Sequence, residues 1–179
     1  MFELHTKRLR LVALDLENLR LELEEPEKME RNLGLRTGHA VLEGELREAV
    51  EKMLERVVVD QANYLWNTDW KIVLKEENRI IGGLCFKGPP NESHEAEIGY
   101  GIYPEYQRKG YMTEALQEIA RWTFQHPQIV AILAETEKSN IPSQRVLEKI
   151  GFTKGRETEL FLWWKLERHR FFLPKECHL

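Results

Sequence analysis

Residues 103–113 read YPEYQRKGYMT and join a predicted strand to a predicted helix. The first turn of a helix has unpaired backbone N–H groups and the positive end of the helix dipole, so phosphates bind there readily. Gly110 allows the N–H groups of the loop to converge, and Arg108 and Lys109 add positive charge suited to phosphates. The loop matches neither a Walker loop nor a Gly-x-Gly-x-x-Gly loop. Taken alone, it is more typical of an ordinary helix start with solvated charges.

The elements on both sides of this loop alternate between strands and helices. Downstream, the apolar spacing predicts a helix at 113–125, a strand at 129–134, a helix from Asn140 to Gly151 and final strands ending near 166. Upstream, it predicts strands at 9–14, 70–74, 79–86 and 95–103, a helix from Asp15 that Pro26 closes, a loop or broken helix at 27–42 and a helix at 45–59. This order predicts an α/β protein, with a mixed sheet and helices on both faces.

The composition is typical of a soluble globular protein. Hydrophobic residues make up 42% and charged residues 31% of 179 residues, which is a suitable length for one domain. The net charge of −4 disfavours nucleic-acid binding, and neither a signal peptide nor a run of about 18 apolar residues is evident. We therefore predict a cytoplasmic protein without membrane or nucleic-acid partners. The two cysteines do not indicate a disulfide framework, and we expect Cys85 to be a buried thiol and Cys177 to be exposed.

Three motifs in order carry a family resemblance. Residues 107–112 resemble the Gln/Arg-x-x-Gly-x-Gly/Ala pyrophosphate loop of the GNAT superfamily of N-acetyltransferases. Residues 140–152 are similar to the family's Asn-x-x-Ser signature that ends in Gly-Phe, and the strand and helix around the loop also match. The opening residues 6–11 and the Glu-Ile-Gly-Tyr strand at 97–100 most resemble the branch that acetylates the N-terminal alanine or serine of ribosomal proteins. The resemblance covers about residues 7–166.

The resemblance implies one GNAT acetyltransferase domain over residues 1–179, with a short tail at 168–179. It implies a mostly antiparallel mixed sheet, acetyl-coenzyme A (acetyl-CoA) as co-substrate, and a monomer or homodimer. Two positions depart from the family pattern: Met112 replaces the usual Gly or Ala, and Leu147 replaces a tyrosine that acts as an acid in many members. The residues that the resemblance assigns to the cofactor are Ile102, Tyr103, Gln107, Arg108, Lys109, Gly110, Tyr111, Met112, Thr113, Asn140 and Ser143.

Catalytic roles fall on two polar residues and one backbone group. Glu97 is the candidate base because it shares a strand face with Gly99 and Gly101, whose missing side chains leave space for the pantetheine arm. An ordinary strand-edge carboxylate is an equal alternative. The resemblance implies that a backbone N–H near Ile102 holds the oxyanion. Ser143 is the candidate donor to the departing thiolate, although a simple first-turn serine is the slightly stronger interpretation.

We therefore predict direct transfer of an acetyl group from acetyl-CoA to a primary amine through a ternary complex. A protein N-terminal amine is the preferred acceptor, from resemblance to one branch. The first alternative is a small-molecule acetyltransferase acting on a polyamine, an amino acid or an antibiotic. The second is a non-catalytic acyl-CoA-binding protein. The six histidines form no His-Glu-x-x-His motif or Cys/His cluster, so no metal site is indicated.

Overall fold

The computed structural model describes residues 1–38 and 42–173, which contain one eight-stranded sheet. Its strands, numbered along the chain, are β1 (Phe2–His5), β2 (Leu9–Ala13), β3 (Asp69–Leu74), β4 (Arg79–Phe86), β5 (Glu95–Ile102), β6 (Ala131–Glu137), β7 (Thr153–Glu157) and β8 (Phe161–Glu167). They lie in the order β1-β2-β3-β4-β5-β6-β8-β7. All neighbouring pairs are antiparallel except β5 and β6, which are parallel.

Helices in the described part of the chain cover both faces of this sheet. Helices α5 and α6 pack on one face, and α1, α2 and α3 pack on the other. The predicted mixed, mostly antiparallel sheet with helices on both faces is confirmed. The helices are α1 (Leu16–Glu24), α2 (Pro26–Asn32), α3 (Gly44–Val59), α4 (Tyr64–Asn67), α5 (Tyr111–Thr123), α6 (Ile141–Ile150) and α7 (Arg168–Phe171).

The two cores follow from the two-residue period of the strands. In β2, Leu9 and Leu11 point into the core beneath α5 and α6, whereas Val12 points into the core beneath α1 and α3. In β3, Ile72 and Val73 divide between the two cores in the same way. A strand buried on both faces reads as a largely apolar run, which explains why β2 is apolar except at Arg10 and β3 is apolar except at Asp69 and Lys71.

A buried ionic cluster fixes α1 over β3. The Lys71 ammonium contacts the carboxylates of Glu22 and Asp69, and the Lys71 and Glu22 side chains are only 6% and 0% exposed. Burial raises the pKa of Glu22 above its usual value, and Lys71 offsets that shift only in part. Burial alone would lower the pKa of Lys71, but the two carboxylates outweigh burial and raise it, so Lys71 is a cation.

Strands β5 and β6 pair over only half of their length. Their parallel register runs from Glu95 opposite Ala131 to Ile98 opposite Ala134. Beyond that point β5 continues to Ile102 alongside β4, while β6 continues alongside β8. The two strands therefore diverge and leave a wedge in the middle of the sheet.

Strand β1 and helices α2 and α7 differ from what the sequence predicts. Strand β1 was not predicted, although Phe2 and Leu4 alternate with Glu3 and His5 as in a strand. It pairs with β2, and Phe2 and Leu4 pack against the core beneath α5 and α6. The prediction that Pro26 closes a helical region was wrong. α1 ends at Glu24 and Pro26 begins α2, a position where its fixed φ and missing N–H are tolerated. The predicted tail at 168–179 begins with α7, whereas Cys177 lies outside the described residues.

Candidate active site

The wedge between β5 and β6 exposes backbone groups of β5. The Tyr103 N–H donates to the Ile81 carbonyl at 2.9 Å, on the β4 side. Because successive residues of a strand direct their backbone groups to alternate sides, the N–H and C=O of Ile102 point to the β6 side, beyond the last β5–β6 pair. The Gln107 amide contacts the Ile102 carbonyl at 3.4 Å, which ties the following loop to this strand end. The wedge therefore offers the Ile102 N–H to a ligand, whereas the Ile102 carbonyl already accepts one hydrogen bond from Gln107.

The loop after β5 ends in a helix start without a side-chain cap. Gly110 is the N-cap of α5, with φ 78°, and Arg108 also has a positive φ of 61°. Glycine adopts this left-handed conformation without steric cost. Having no side chain, Gly110 leaves the first N–H groups of α5, from Tyr111 to Thr113, available to a ligand. Such a helix start binds anions well.

A salt-bridge network supports the loop from behind. The Arg8 guanidinium donates to Glu114 at 2.6 Å and to the Lys109 carbonyl at 3.0 Å, and it stacks 4.5 Å from the centre of the Tyr111 ring. The Thr6 hydroxyl and the Arg8 N–H also donate to Glu114. Burial alone would raise the pKa of Glu114, but these hydrogen bonds outweigh burial and lower it. The network therefore fixes the loop to the β1–β2 turn.

The opposite wall is the first turn of α6. The Asn140 side-chain oxygen accepts from the Ser143 N–H at 3.2 Å and so caps the helix. This cap does not use the Asn140 amide nitrogen, so that group can contact a ligand as well. Pro142, at the start of the helix, sets the direction of the turn without losing a helical hydrogen bond.

The wedge, the loop and α6 together enclose a cleft of about 830 Å³. That is large enough for an extended small ligand. Three cations, Arg108, Arg145 and Lys149, lie along it, and no described lining residue is Asp or Glu. In a chain with net charge −4, this concentration of positive charge indicates an anionic ligand. The lining residues are Tyr100, Gly101, Ile102, Tyr106, Gln107, Arg108, Gly110, Tyr111, Met112, Thr113, Asn140, Pro142, Ser143, Arg145, Val146 and Lys149.

Two hydroxyl groups meet inside the cleft. The Tyr100 phenol from β5 lies 2.7 Å from the Ser143 hydroxyl on α6. Burial raises the pKa of Tyr100 to about 12, although the hydrogen bond with Ser143 opposes the shift. Tyr100 is therefore neutral at physiological pH and keeps its proton.

Most of the predicted cofactor residues line this cleft, but two do not. Tyr103 instead lines a smaller hollow of about 370 Å³ that also includes Arg79 and Glu105. The Lys109 ammonium lies 5.3 Å from the centre of the Tyr106 ring. The Met112 side chain is buried in the core, so its bulk does not fill the loop.

Glu97 lies outside the cleft, because neighbouring residues of a strand face opposite sides of the sheet. Its carboxylate pairs with Lys87 at 2.5 Å and its side chain is 34% exposed. Gly99 and Gly101 share its face, and a Cβ at Gly101 would meet no atom within 4 Å. A Cβ at Gly99 would lie 3.8 Å from the Cys85 sulfur, so the predicted bare strip is open only at Gly101, on the α1–α3 face of the wedge. A catalytic role for Glu97 stays a prediction.

Seven lining residues were missing from the predicted cofactor set, and three of them, Tyr100, Arg145 and Lys149, bear on the chemistry of the cleft. Tyr100 was not among the predicted site residues, and nothing in its spacing indicates the contact with Ser143. The sequence does indicate Arg145 and Lys149. They lie four residues apart and therefore share one face of α6, beginning about one turn after Asn140.

Within residues 1–38 and 42–173, no group of three or more His, Cys, Asp or Glu side chains is placed to hold a metal ion. In the same part of the chain, no helix is long and apolar enough to cross a membrane.

Comparisons with known proteins agree with the geometry of the cleft. The profile of the acetyltransferase (GNAT) domain family matches residues 8–153. The chain is 30% identical over 161 residues to the uncharacterized N-acetyltransferase YjdG of Bacillus subtilis strain 168. The match covers 90% of this chain and 95% of the relative.

Solved structures with the same fold include enzymes with different acceptors. The ribosomal-protein-S5-alanine acetyltransferase from Vibrio fischeri aligns with a TM-score of 0.68 at 20% identity, covering 93% of this chain and 97% of that one. The spermidine N-acetyltransferase from Vibrio cholerae, solved with CoA and spermine, aligns with a TM-score of 0.64 at 16% identity. That match covers 93% of this chain and 99% of the other. At these identities the likeness shows the fold.

Proposed function

Because the chain belongs to the GNAT family of acetyltransferases, and is thus an acetyl-CoA-dependent acyltransferase, we propose that it acetylates a primary amine, preferably a protein N-terminal amine. The acetyl group passes directly from acetyl-CoA to the amine while both are bound. The observation that carries this proposal is the cleft, in which an uncapped helix start, three cations and unpaired strand backbone lie together.

The chemistry of the cleft fits the parts of coenzyme A. The N–H groups at the start of α5 and the Arg108 side chain are suited to the pyrophosphate, and Arg145 and Lys149 are suited to the remaining phosphate charge. The pantetheine arm contains amides, which match the unpaired backbone of β5 at Ile102 and the Asn140 side-chain amide. Acetyl-CoA supplies the activated acetyl thioester.

The remaining residues then handle the charges and protons of acyl transfer. The Ile102 N–H, directed into the wedge, is placed to stabilise an oxyanion, and Ser143 can donate to the departing thiolate. Glu97 lies on the other face of β5, so the amine would enter from the α1–α3 side. An N-terminal amine has a pKa near 8 and a lysine near 10.4, so the first needs less help from a base. A partly exposed carboxylate that acts through water is sufficient for the first.

The preference for a protein N-terminus is supported by likeness alone. The Vibrio fischeri neighbour is named as a ribosomal-protein alanine acetyltransferase, and a Bacillus subtilis relative is named as a putative ribosomal N-acetyltransferase. A polyamine or another small amine is the alternative, supported by the spermidine N-acetyltransferase neighbour. A non-catalytic acyl-CoA-binding role is disfavoured by family membership.

An acceptor panel tests the proposal. The release of CoA is followed with peptides that begin with Ser or Ala, with the same peptides N-terminally blocked but carrying an internal lysine, and with spermidine, free amino acids and an aminoglycoside. We expect the free peptides to show the highest kcat/KM and the blocked peptides to show little turnover. Higher kcat/KM with spermidine or another small amine would overturn the preferred acceptor and favour the alternative.

A further inference from the structure

The Tyr100–Ser143 contact joins two elements that the wedge holds apart. Tyr100 comes from the half of β5 that has diverged from β6 and still pairs with β4, and Ser143 comes from the first turn of α6. Their oxygens are 2.7 Å apart and both residues line the cleft. The Asn140 side chain holds the Ser143 backbone N–H, so the serine is fixed from one side by the helix cap and from the other by the tyrosine.

Helix α6 offers the cleft no tyrosine at position 147. Leu147 is fully buried in the core and has no polar group to offer. The Tyr106 hydroxyl, another phenol of the cleft, is already bonded to Glu77 at 2.6 Å. Among the described residues, the Tyr100 phenol is hydrogen-bonded only to Ser143. Of these two phenols, Tyr100 is therefore the one that contacts another hydroxyl group of the cleft.

Two hydrogen-bonded hydroxyls have one hydrogen left over for a ligand. One of their two hydrogens lies between the oxygens, and the other is directed elsewhere. When Tyr100 donates to the Ser143 oxygen, the hydrogen of Ser143 is free to point into the cleft. Burial keeps the Tyr100 pKa near 12, so this arrangement persists to alkaline pH.

We propose that Tyr100 is a positioning residue, which orients the Ser143 hydroxyl to donate a hydrogen bond to the sulfur of coenzyme A. This inference rests on the proposed function. In the transfer step, the amine nitrogen forms a bond with the thioester carbonyl carbon, and the carbon–sulfur bond breaks with its electron pair passing to sulfur. Ser143 stabilises that thiolate by a hydrogen bond and keeps its own proton. The thiolate takes a proton from solvent, and the amine loses one to the base.

A binding experiment tests the hydrogen bond without turnover. A cysteine thiol has a pKa near 8.5, and the simple alkyl thiol of CoA, which lacks cysteine's electron-withdrawing neighbours, has a higher pKa. Free CoA is therefore a thiol at about pH 7 and mainly a thiolate at about pH 10.5. We would measure Kd by calorimetry for CoA and for desulfo-CoA, which lacks the sulfur, at both pH values. The ratio of the two Kd values removes the pH dependence of the phosphate contacts.

For the native protein, we expect the ratio of the desulfo-CoA Kd to the CoA Kd to rise about tenfold from the lower to the higher pH. A change of this size corresponds to one hydrogen bond to a charged group. Tyr100→Phe and Ser143→Ala should lose this gain and keep their desulfo-CoA affinity within about twofold. Tyr64→Phe is the matched control, because it removes a half-buried phenol on α4, outside the cleft. It should behave as the native protein does.

The kinetics of the variants distinguish a positioning role of Tyr100 from a purely structural one. Tyr100→Phe and Ser143→Ala should each lower kcat about tenfold with little change in the KM for acetyl-CoA, and the double variant should be no more than about threefold worse than Ser143→Ala. An unchanged pH gain in Tyr100→Phe would overturn the inference, as would losses of kcat that multiply in the double variant. Failure of native protein to bind CoA would overturn the proposed function itself. CoA binding without the pH gain would overturn only this inference.

Discussion

Arg108 and Gly110 show how single residues shape the phosphate site. Both have positive φ angles, 61° and 78°. Such angles are uncommon for residues with a side chain, so the loop accepts local strain at Arg108. Gly110 adopts its angle without steric cost, and an added Cβ would make only ordinary contact, 3.5 Å from the Arg8 guanidinium, so the φ angle and not crowding favours glycine there. The conformation of the loop therefore depends on Gly110.

Replacing Gly110 with alanine should weaken acetyl-CoA binding about tenfold and destabilise the protein by about 1 kcal/mol, because alanine resists the left-handed conformation. Gly34→Ala is the matched control. Gly34 has φ 68° and lies at the end of α2, so its variant should lose similar stability and no affinity. Calorimetric titration with acetyl-CoA and urea unfolding would check both. Equal affinities of the two variants would contradict the role given to the loop.

The proposed role of Glu97 depends on entry of the amine from the α1–α3 side of the wedge, where its carboxylate lies. We expect Glu97→Gln to lower kcat about a hundredfold, the usual effect of removing a general base, without changing the Kd of acetyl-CoA. Glu92→Gln, in the exposed loop before β5, controls for the loss of one negative charge. Steady-state kinetics and calorimetry provide the two readouts. If Glu97→Gln kept native kcat, the carboxylate would be only the Lys87 partner seen in the structure.

The residues of the loop around Gly110 can be read from the sequence, whereas the role of Tyr100 on β5 cannot. The spacing around Gly110 and Asn140 is local, so the motif itself places Arg108 and Ser143 at helix starts. Tyr100 was missed because its partner is 43 residues away and is brought close only by packing of α6 against the sheet. No local pattern carries that contact.

At the scale of elements, the divergence of β5 from β6 creates the site. It exposes strand backbone in the interior of a sheet, and α5 and α6 then cover one side of the opening. The sequence predicts both strands but not their divergence, because pairing between strands depends on long-range packing. Strand β1 is a different case, because the alternation of Phe2 and Leu4 with Glu3 and His5 is a local signal, and the Phe2 ring packs against Trp70 and Trp122.

The position of α5 depends on the network around Glu114. Its pKa is lowered in the folded protein, so Glu114 contributes stability above the pKa of an unfolded glutamate, near 4.3, and this contribution is lost as the pH falls through the lower, folded pKa. We expect Glu114→Gln to cost about 1 kcal/mol at about pH 7 and clearly less at about pH 3. Urea unfolding at both pH values measures the difference. A cost that does not change with pH would contradict the charged network.

The charge of the whole molecule opposes that of its cleft. The chain has 30 acidic and 26 basic residues, yet Arg108, Arg145 and Lys149 gather at the cleft. Overall charge, which disfavours a basic nucleic-acid surface, gives no hint of this local positive field. The fold concentrates it by bringing the loop and α6 together. Acetyl-CoA affinity should therefore fall as salt rises, because ions screen these contacts.

Thermal unfolding with and without acetyl-CoA tests the central claim most directly. At about 100 times its Kd, a ligand adds about 2.7 kcal/mol of stability, which for a domain of this size raises the Tm by about 5 to 10 °C. We expect that rise in the native protein and in Lys52→Ala, a matched loss of charge on α3, and a much smaller rise in Arg108→Ala. No rise in the native protein at millimolar acetyl-CoA would contradict the account.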